Sequence, residues 1–555
     1  MDAADQPKKL PMAVQEGAEE ETKATDVAKD QLGNTEATGR RAPTPVTQRR
    51  TGLFVFFKDV RYVLKLDEMG SEIASIAVPA ALALAADPLA SLVDTAFIGR
   101  IGPVELAAVG VAIAVFNQVS KIAIYPIVCV TTSFVAEERA ACTEDTNGQG
   151  HEDIEKASAG IGELKLLSPC SDSKMDCNSS LVDNRSTDVT KFAYKRKYIP
   201  SVSSALVVGG VLGLLQAILL MFAARPFLHV MGVKPDSPMM IPAHRYLSVR
   251  SLGAPAVLLS LAMQGVFRGF KDTKTPLCAT VAGDAANIIL DPVFIFVLHL
   301  GVTGAAIAHV ISQYLISGIL LWRLMNKVNI MPSSVKDLRF RRFLTCGFLL
   351  LARVVAVTFC VTLSASVAAH HGPIPMAAFQ ICLQVWLSTS LLADGLAVAG
   401  QAVLASSFAT GDHQKAVAAT SRVLQLSIIL GLALSAVIGI GMQFGSGVFT
   451  KDDNVQKLIH SVLPFVVATQ PINSMAFVFD GINFGASDYV YSAYSMVLVA
   501  IISIFSLFLL SSSHGFIGIW IALTIYISLR MFAGVWRMGA ARGPWAFLRY
   551  LPISG

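Results

Sequence analysis

Apolar stretches of about twenty residues recur along this chain between positions 72 and 536, each bounded by a few polar or turn-forming residues. A helix of ~20 residues crosses the ~30 Å hydrocarbon core of a bilayer. The pattern predicts spans at 72–98, 106–135, 199–223, 244–267, 277–299, 302–323, 344–368, 376–407, 418–444, 458–482, 490–511 and 515–536. Most of these stretches are apolar all round, as expected of helices that lipid and neighbouring spans cover on every side. The expected fold class is therefore an all-α integral membrane protein with twelve transmembrane helices.

Polar segments divide the pattern. Residues 1–50 have few large apolar side chains, so a disordered cytosolic tail without a secretory signal is expected over 1–70. Within it, residues 52–68 (Phe54, Phe56 and Phe57 with Lys58, Arg61 and Lys65) could form a short interfacial helix. Residues 137–197 form the one long insertion, rich in Asp, Glu, Ser and Lys and expected to be irregular. Both the tail and this insertion offer surfaces for regulatory contacts. A first lobe over 71–323, a basic linker at 324–343, a second lobe over 344–537 and a tail over 538–555 complete the division.

Composition agrees with a membrane protein. The chain is 54% hydrophobic and only 15% charged, against about 25% charged in soluble domains. Its net charge of +5 matters mainly through distribution, and the expected partners are the bilayer and a small solute, with no nucleic acid. Loops that follow even-numbered spans hold Arg268, Lys271, Lys274, Lys327, Lys336, Arg339, Arg341, Arg342 and Lys415. The opposite loops hold Arg100, Arg225, Lys234, Lys451 and Lys457 and little else that is basic. The excess of positive residues favours the cytosol, so both termini are expected there. No nucleophile–base pair, metal cluster or phosphate loop suggests an enzyme, and no cofactor is expected.

The chain also repeats. Gly102-Pro103-x3-Ala107-Ala108 returns as Gly372-Pro373-x3-Ala377-Ala378. Gly265-Val266-x2-Gly269-x2-Asp272 returns as Gly481-Ile482-x2-Gly485-x2-Asp488, and Gly301-x2-Gly304 as Gly515-x2-Gly518. Six spans separate each pair. An even number preserves topology, so two six-helix lobes related by a pseudo-two-fold axis along the membrane normal are expected.

Charged and amide residues inside the spans are the candidate chemistry, because a carboxylate at bilayer depth costs ~2.5–3.5 kcal/mol on insertion scales. Asn287 and Asp291 stand one helical turn apart in span 5, with Asp284 a further turn back. Asp94 lies in span 1, with Asp87 two turns earlier. Lys121 lies deep in span 2 with Asn117 one turn before it, and Arg353 about ten residues into span 7. Gln380 and Gln384 in span 8 could line a hydrated cleft, although amides also join helices. In the second lobe, Asp480 and Asp394 are either coupling acids or counter-ions for Arg353. Arg250 and Arg530 lie nearer the ends of their spans and are expected to snorkel.

Ser91-Leu-Val-Asp94-Thr-Ala-Phe-Ile-Gly99, Met263-Gln-Gly-Val-Phe-Arg-Gly-Phe-Lys-Asp272-Thr and Asn287-x3-Asp291-Pro292 together resemble the multidrug and toxic compound extrusion (MATE) family. The resemblance extends over nearly all of residues 72–536. Phe116-Asn-Gln-Val-Ser-Lys121-Ile-Ala, Leu351-Ala-Arg353 and the long insertion are similar to the plant citrate-exporter branch, which serves aluminium tolerance and iron homeostasis. The resemblance implies a plasma-membrane antiporter driven by protons or sodium, with Asp94, Asn287 and Asp291 around one exchangeable cation. His309 stands where the family commonly has a threonine, which favours a proton over sodium. Multidrug members typically place a carboxylate in span 7. Arg353 in its stead, with Lys121, favours citrate or a related organic anion. The rivals are an organic-cation exporter of the same family and a membrane scaffold that transports nothing.

Overall fold

A computed structural model describes Phe56, Lys65 and residues 67–163, 199–231, 233–329, 340–449 and 452–549. The expected tail over 1–50, most of the interfacial segment 52–68, the later part of the insertion 137–197 and the middle of the linker 324–343 lie outside the described residues, as does the end of the C-terminal tail.

Almost all regular structure among the described residues is helical. The crossings are Glu68–Gly99, Val104–Ala141, Pro200–Phe222, Lys274–Val297, Gly301–Lys327, Phe340–His370, Pro373–Ala409 and His413–Phe444, with two bent pairs and one long run. The bent pairs, Met240–Ser251 with Ala254–Gly269 and Asp453–Ala468 with Gln470–Gly485, turn by 48° and 47° and form spans 4 and 10. The run Tyr489–Gly539 breaks at Gly515, where φ is 58° and ψ is −132°, a conformation that only glycine adopts readily. Spans 11 and 12 lie on either side of that break, so the twelve expected helices are present. Helix 2 runs on to Glu163, into the insertion expected to be irregular. Hydropathy says where a chain can cross lipid, whereas the Ala and Glu of this stretch are good helix formers in water.

The repeats in the sequence have structural counterparts. In each lobe the bend of one span receives a glycine from its neighbour: a Cβ on Gly213 would lie 2.6 Å from the Cα of Pro255, and one on Gly431 2.4 Å from the Cα of Pro471. We expect Gly431→Ala to cost about 1–3 kcal/mol through overpacking, read as a lower melting temperature in detergent. Gly441→Ala, at a position with nothing within 4 Å, serves as the neutral control.

The two Gly-x3-Gly-x2-Asp motifs end in the same turn. The Asp272 N–H donates to the Phe267 carbonyl and the Asp488 N–H to the Asn483 carbonyl, each at 2.9 Å, after a residue with positive φ (Lys271, Ser487). Each carboxylate then ties down the last span of its own lobe, Asp272 through Lys327 and Asp488 through Arg537. Burial pushes the Asp272 carboxyl up, but the Lys327 ammonium and the Thr275 N–H and hydroxyl outweigh it and hold the group below its ordinary value.

Contacts between lobes gather at one end of the bundle, the near end, where span 1 begins. Glu72 pairs with Lys271 at 2.6 Å in its own lobe and reaches Lys415 of the other at 3.7 Å. Glu137 accepts from Arg342 at 2.7 Å and also from Ser487. Gln401 donates to the Cys129 carbonyl and to Ser133, and Ser133 donates to the Phe484 carbonyl. Phe134 meets Phe343 and Tyr489 edge-on. Span 1 itself crosses the divide. Its near half (Ile73, Ile76, Ala80) is buried in one core with Leu396, Ala399 and Val403 of span 8, while its far half packs on span 5 of its own lobe.

Candidate functional site in the first lobe

Asp94 and Asn287 are brought together by spans 1 and 5: the Asn287 amide donates to an Asp94 carboxylate oxygen at 2.7 Å. The Asp94 and Asp291 carboxyl groups lie close enough to interact directly. Asp291 is 1% exposed and Asn287 3%. Their positions follow from local geometry, since residues four apart on a helix share a face and Pro292 ends the regular helix at the site. From Val293 the helix widens into a π-turn through Val297. Such turns often mark functional positions.

The oxygens here are acceptors without donors. Both carboxylate oxygens of Asp291, the amide oxygen of Asn287 and one oxygen of Asp284 are buried with no hydrogen-bond partner. Leaving such groups unsatisfied costs ~1–3 kcal/mol each, and more when charged. The oxygens of Asn287 and Asp291, one turn apart and beside Asp94, can be satisfied by one cation or by protonation, while Asp284 lies a further turn along the helix. Among the described residues, no group of three or more His, Cys, Asp or Glu has the arrangement that holds a metal ion. Asp87 is exposed near the middle of span 1, beside Pro88.

Two members of this site were not foreseen. Arg250, expected to snorkel, is buried. It donates to the Tyr246 hydroxyl at 2.8 Å and lies over the Phe116 ring at 5.0 Å. It is close enough to Asp87, Asp94 and His309 for their charges to interact. The cause is the bend of span 4, which puts Arg250 beside the break at Leu252 and Gly253 instead of near a membrane surface. Tyr246, one turn earlier, is close enough to Asp94 and Asp291 for their charges to interact. His309 is half-buried in span 6 and belongs to this surround through Arg250.

The second lobe holds a separate charged cluster. Arg353 and Arg530 both donate to the Asp480 carboxylate, Arg353 also donates to Ser492 at 2.6 Å, and Phe484 and Phe477 lie against the two guanidinium groups. Arg353 is thus not a free cation, and Arg530 does not snorkel. A buried guanidinium in low dielectric needs an opposite charge, and Asp480 supplies it to both. Asp394 is half-buried near Arg268 and Arg530. Lys121, by contrast, is exposed and makes no ion pair among the described residues. Asn117, Gln380 and Gln384 are exposed as well, all in the far halves of spans 2 and 8.

The family model MatE matches residues 196–293 and 350–509. The chain is 62% identical to Protein DETOXIFICATION 42 of Arabidopsis thaliana over 90% of its own length and 98% of the relative's. It is 58% identical to Protein DETOXIFICATION 43 of the same plant over 89% and 95% of the two lengths. Its backbone is similar to that of a solved transporter of the MOP superfamily from Pyrococcus furiosus, with a TM-score of 0.69 and 19% identity. That match covers 89% of this chain and 99% of the other. With this identity along almost its whole length, the chain belongs to the multidrug and toxic compound extrusion (MATE) family of membrane transporters.

Proposed function

We propose that this transporter is a secondary antiporter that exports citrate or a related organic anion from the cytosol of a plant cell across the plasma membrane, with both termini cytosolic. A proton, or sodium in its place, drives it by binding at Asp94, Asn287 and Asp291. The observation that carries the coupling role is the set of buried, partnerless oxygens on Asp284, Asn287 and Asp291. Two carboxylates in contact in low dielectric hold at most one net charge comfortably, so arrival or loss of a cation changes what the site prefers to pack against. In this reading His309 passes a proton towards the site, and its nearness to Arg250 supports that role.

Lys121 supports the anionic substrate. A lysine without a counter-ion, deep in a span beside Asn117, is costly unless a hydrated cleft or an anion solvates it. Arg353 supports it less directly, through a cluster in which two guanidinium groups share one Asp480 carboxylate and retain excess positive charge. The organic-cation reading draws on Asp87, an exposed carboxylate in span 1. Efflux of labelled citrate and of a labelled organic cation from reconstituted vesicles, under separate proton and sodium gradients, tests both readings. Lys121→Gln should raise the apparent KM for citrate about tenfold, since a charge-assisted contact is worth ~1.5–3 kcal/mol. An unchanged KM would remove Lys121 from the substrate path. Faster transport of the cation than of citrate by the wild type would remove the anion assignment altogether.

A further inference from the structure

At the far end of the first lobe, where spans 3 and 4 are joined, a cavity of about 620 Å³ is lined by Arg225, His229, His244 and Arg245, with Met240 and Ile241 beside them. Arg225 and His244 are close enough for their charges to interact. Among the described residues none of the four basic side chains is hydrogen-bonded or ion-paired. The acids of this end, Glu105 and Asp236, do not line the cavity. Two permanently charged guanidinium groups sharing one cavity repel each other, and among the described residues no acid lines the cavity to offset them. The exposed side chains are solvated, and the cavity favours an anion over a neutral ligand.

The surroundings say which anion. Phe222 and Val230, flanking Arg225, are each 82% exposed, and Ile241 is 64% exposed. These apolar side chains stand where span 3 ends and span 4 begins, at the depth where hydrocarbon gives way to headgroups. A small solute such as phosphate or citrate would use the basic residues and leave the apolar ones without a role. A phospholipid uses both, with its phosphate against the guanidinium groups and its acyl chains along Phe222, Val230 and Ile241. Basic pockets between membrane helices take acidic headgroups on the cytoplasmic or matrix side of membranes, and the same pairing of charges applies at this opposite end. From this juxtaposition we infer that the cavity between spans 3 and 4 is a binding site for an anionic phospholipid of the leaflet at the far end. The inference stands apart from the coupling site and from the identity of the exported solute.

Native mass spectrometry of the full-length protein in detergent tests it, with phosphatidylglycerol, phosphatidylcholine and inorganic phosphate as probes. The wild type should bind phosphatidylglycerol more tightly than phosphatidylcholine. Arg225→Gln/Arg245→Gln should weaken the phosphatidylglycerol affinity about tenfold and leave phosphatidylcholine binding unchanged. That unchanged binding, with monodisperse elution, also shows that the variant is folded. If the double variant does not fold, Arg245→Gln alone should give a loss of about threefold. Wild-type phosphatidylglycerol binding by a folded variant would overturn the inference. So would displacement of phosphatidylglycerol by an equal concentration of inorganic phosphate, which would make the cavity a site for free anions.

Discussion

Asp291→Asn should reduce gradient-driven transport to background while the protein remains folded and in the membrane. The substitution keeps the side-chain volume and one oxygen, so packing around this 1%-exposed residue survives. It removes the ionisable group. An amide cannot take up a proton near neutral pH, nor can it offset the charge of a cation beside Asp94. Each unit charge moved through 100 mV is worth ~2.3 kcal/mol, and a carrier that binds no ion cannot use it. Uptake of labelled citrate in counterflow, which needs no gradient, should persist at a reduced level and so separate lost coupling from lost folding. Wild-type rates of gradient-driven efflux in the variant would remove the first-lobe site from the mechanism.

Asp480→Asn should cost about 3–5 kcal/mol of stability, the usual penalty for removing one partner of a buried ion pair. Here the penalty is compounded, because one carboxylate serves two guanidinium groups. Arg353 would retain Ser492, which does not neutralise a charge, and Arg530 would retain the face of Phe477 and the charge of nearby Asp394. The measurement is the melting temperature of the purified variant in detergent. Asp480→Asn/Arg353→Gln should recover part of the loss by taking away the guanidinium that depended on Asp480. If the single variant melts with the wild type, the cluster is hydrated and its charges are not mutually dependent.

The spans, the repeat and the Asn287–Asp291 face were legible because each rests on local spacing. A run of twenty apolar residues, a glycine motif or an i, i+4 pair reads the same before and after folding. The pairing of Asp94 with Asn287 lies between distant spans, and only the family resemblance pointed to it. Arg250 and Arg530 differ from expectation for two reasons, neither visible in distance from the end of an apolar run. Span 4 bends beside Arg250, and Asp480 on another span holds Arg530 inward. Arg353 is buried, but its partner is one of two acids between which the sequence offers no choice. The extension of helix 2 to Glu163 escaped because hydropathy tracks lipid and says nothing of helices in water.

Span 1 is a beam whose near end is shared between two bodies. Its near half packs in a core with the second lobe and is tied to the first through Glu72 and the Ile76 carbonyl, and its far half is held in the first through Asp94. Separating the lobes at the near end must therefore either break one of the near-end holds or load this helix in bending. Pro88 lies between the two clamps and removes a backbone hydrogen bond, so it is where the beam is most compliant, whereas Pro79 lies within the near clamp. If the Asp94 site binds the coupling ion as proposed, its occupancy at one end and closure at the other would be geared mechanically through a single element, without any message crossing the cleft. The stiffness of that gear would then set how much of the ion gradient reaches the cargo and how much is lost as slip.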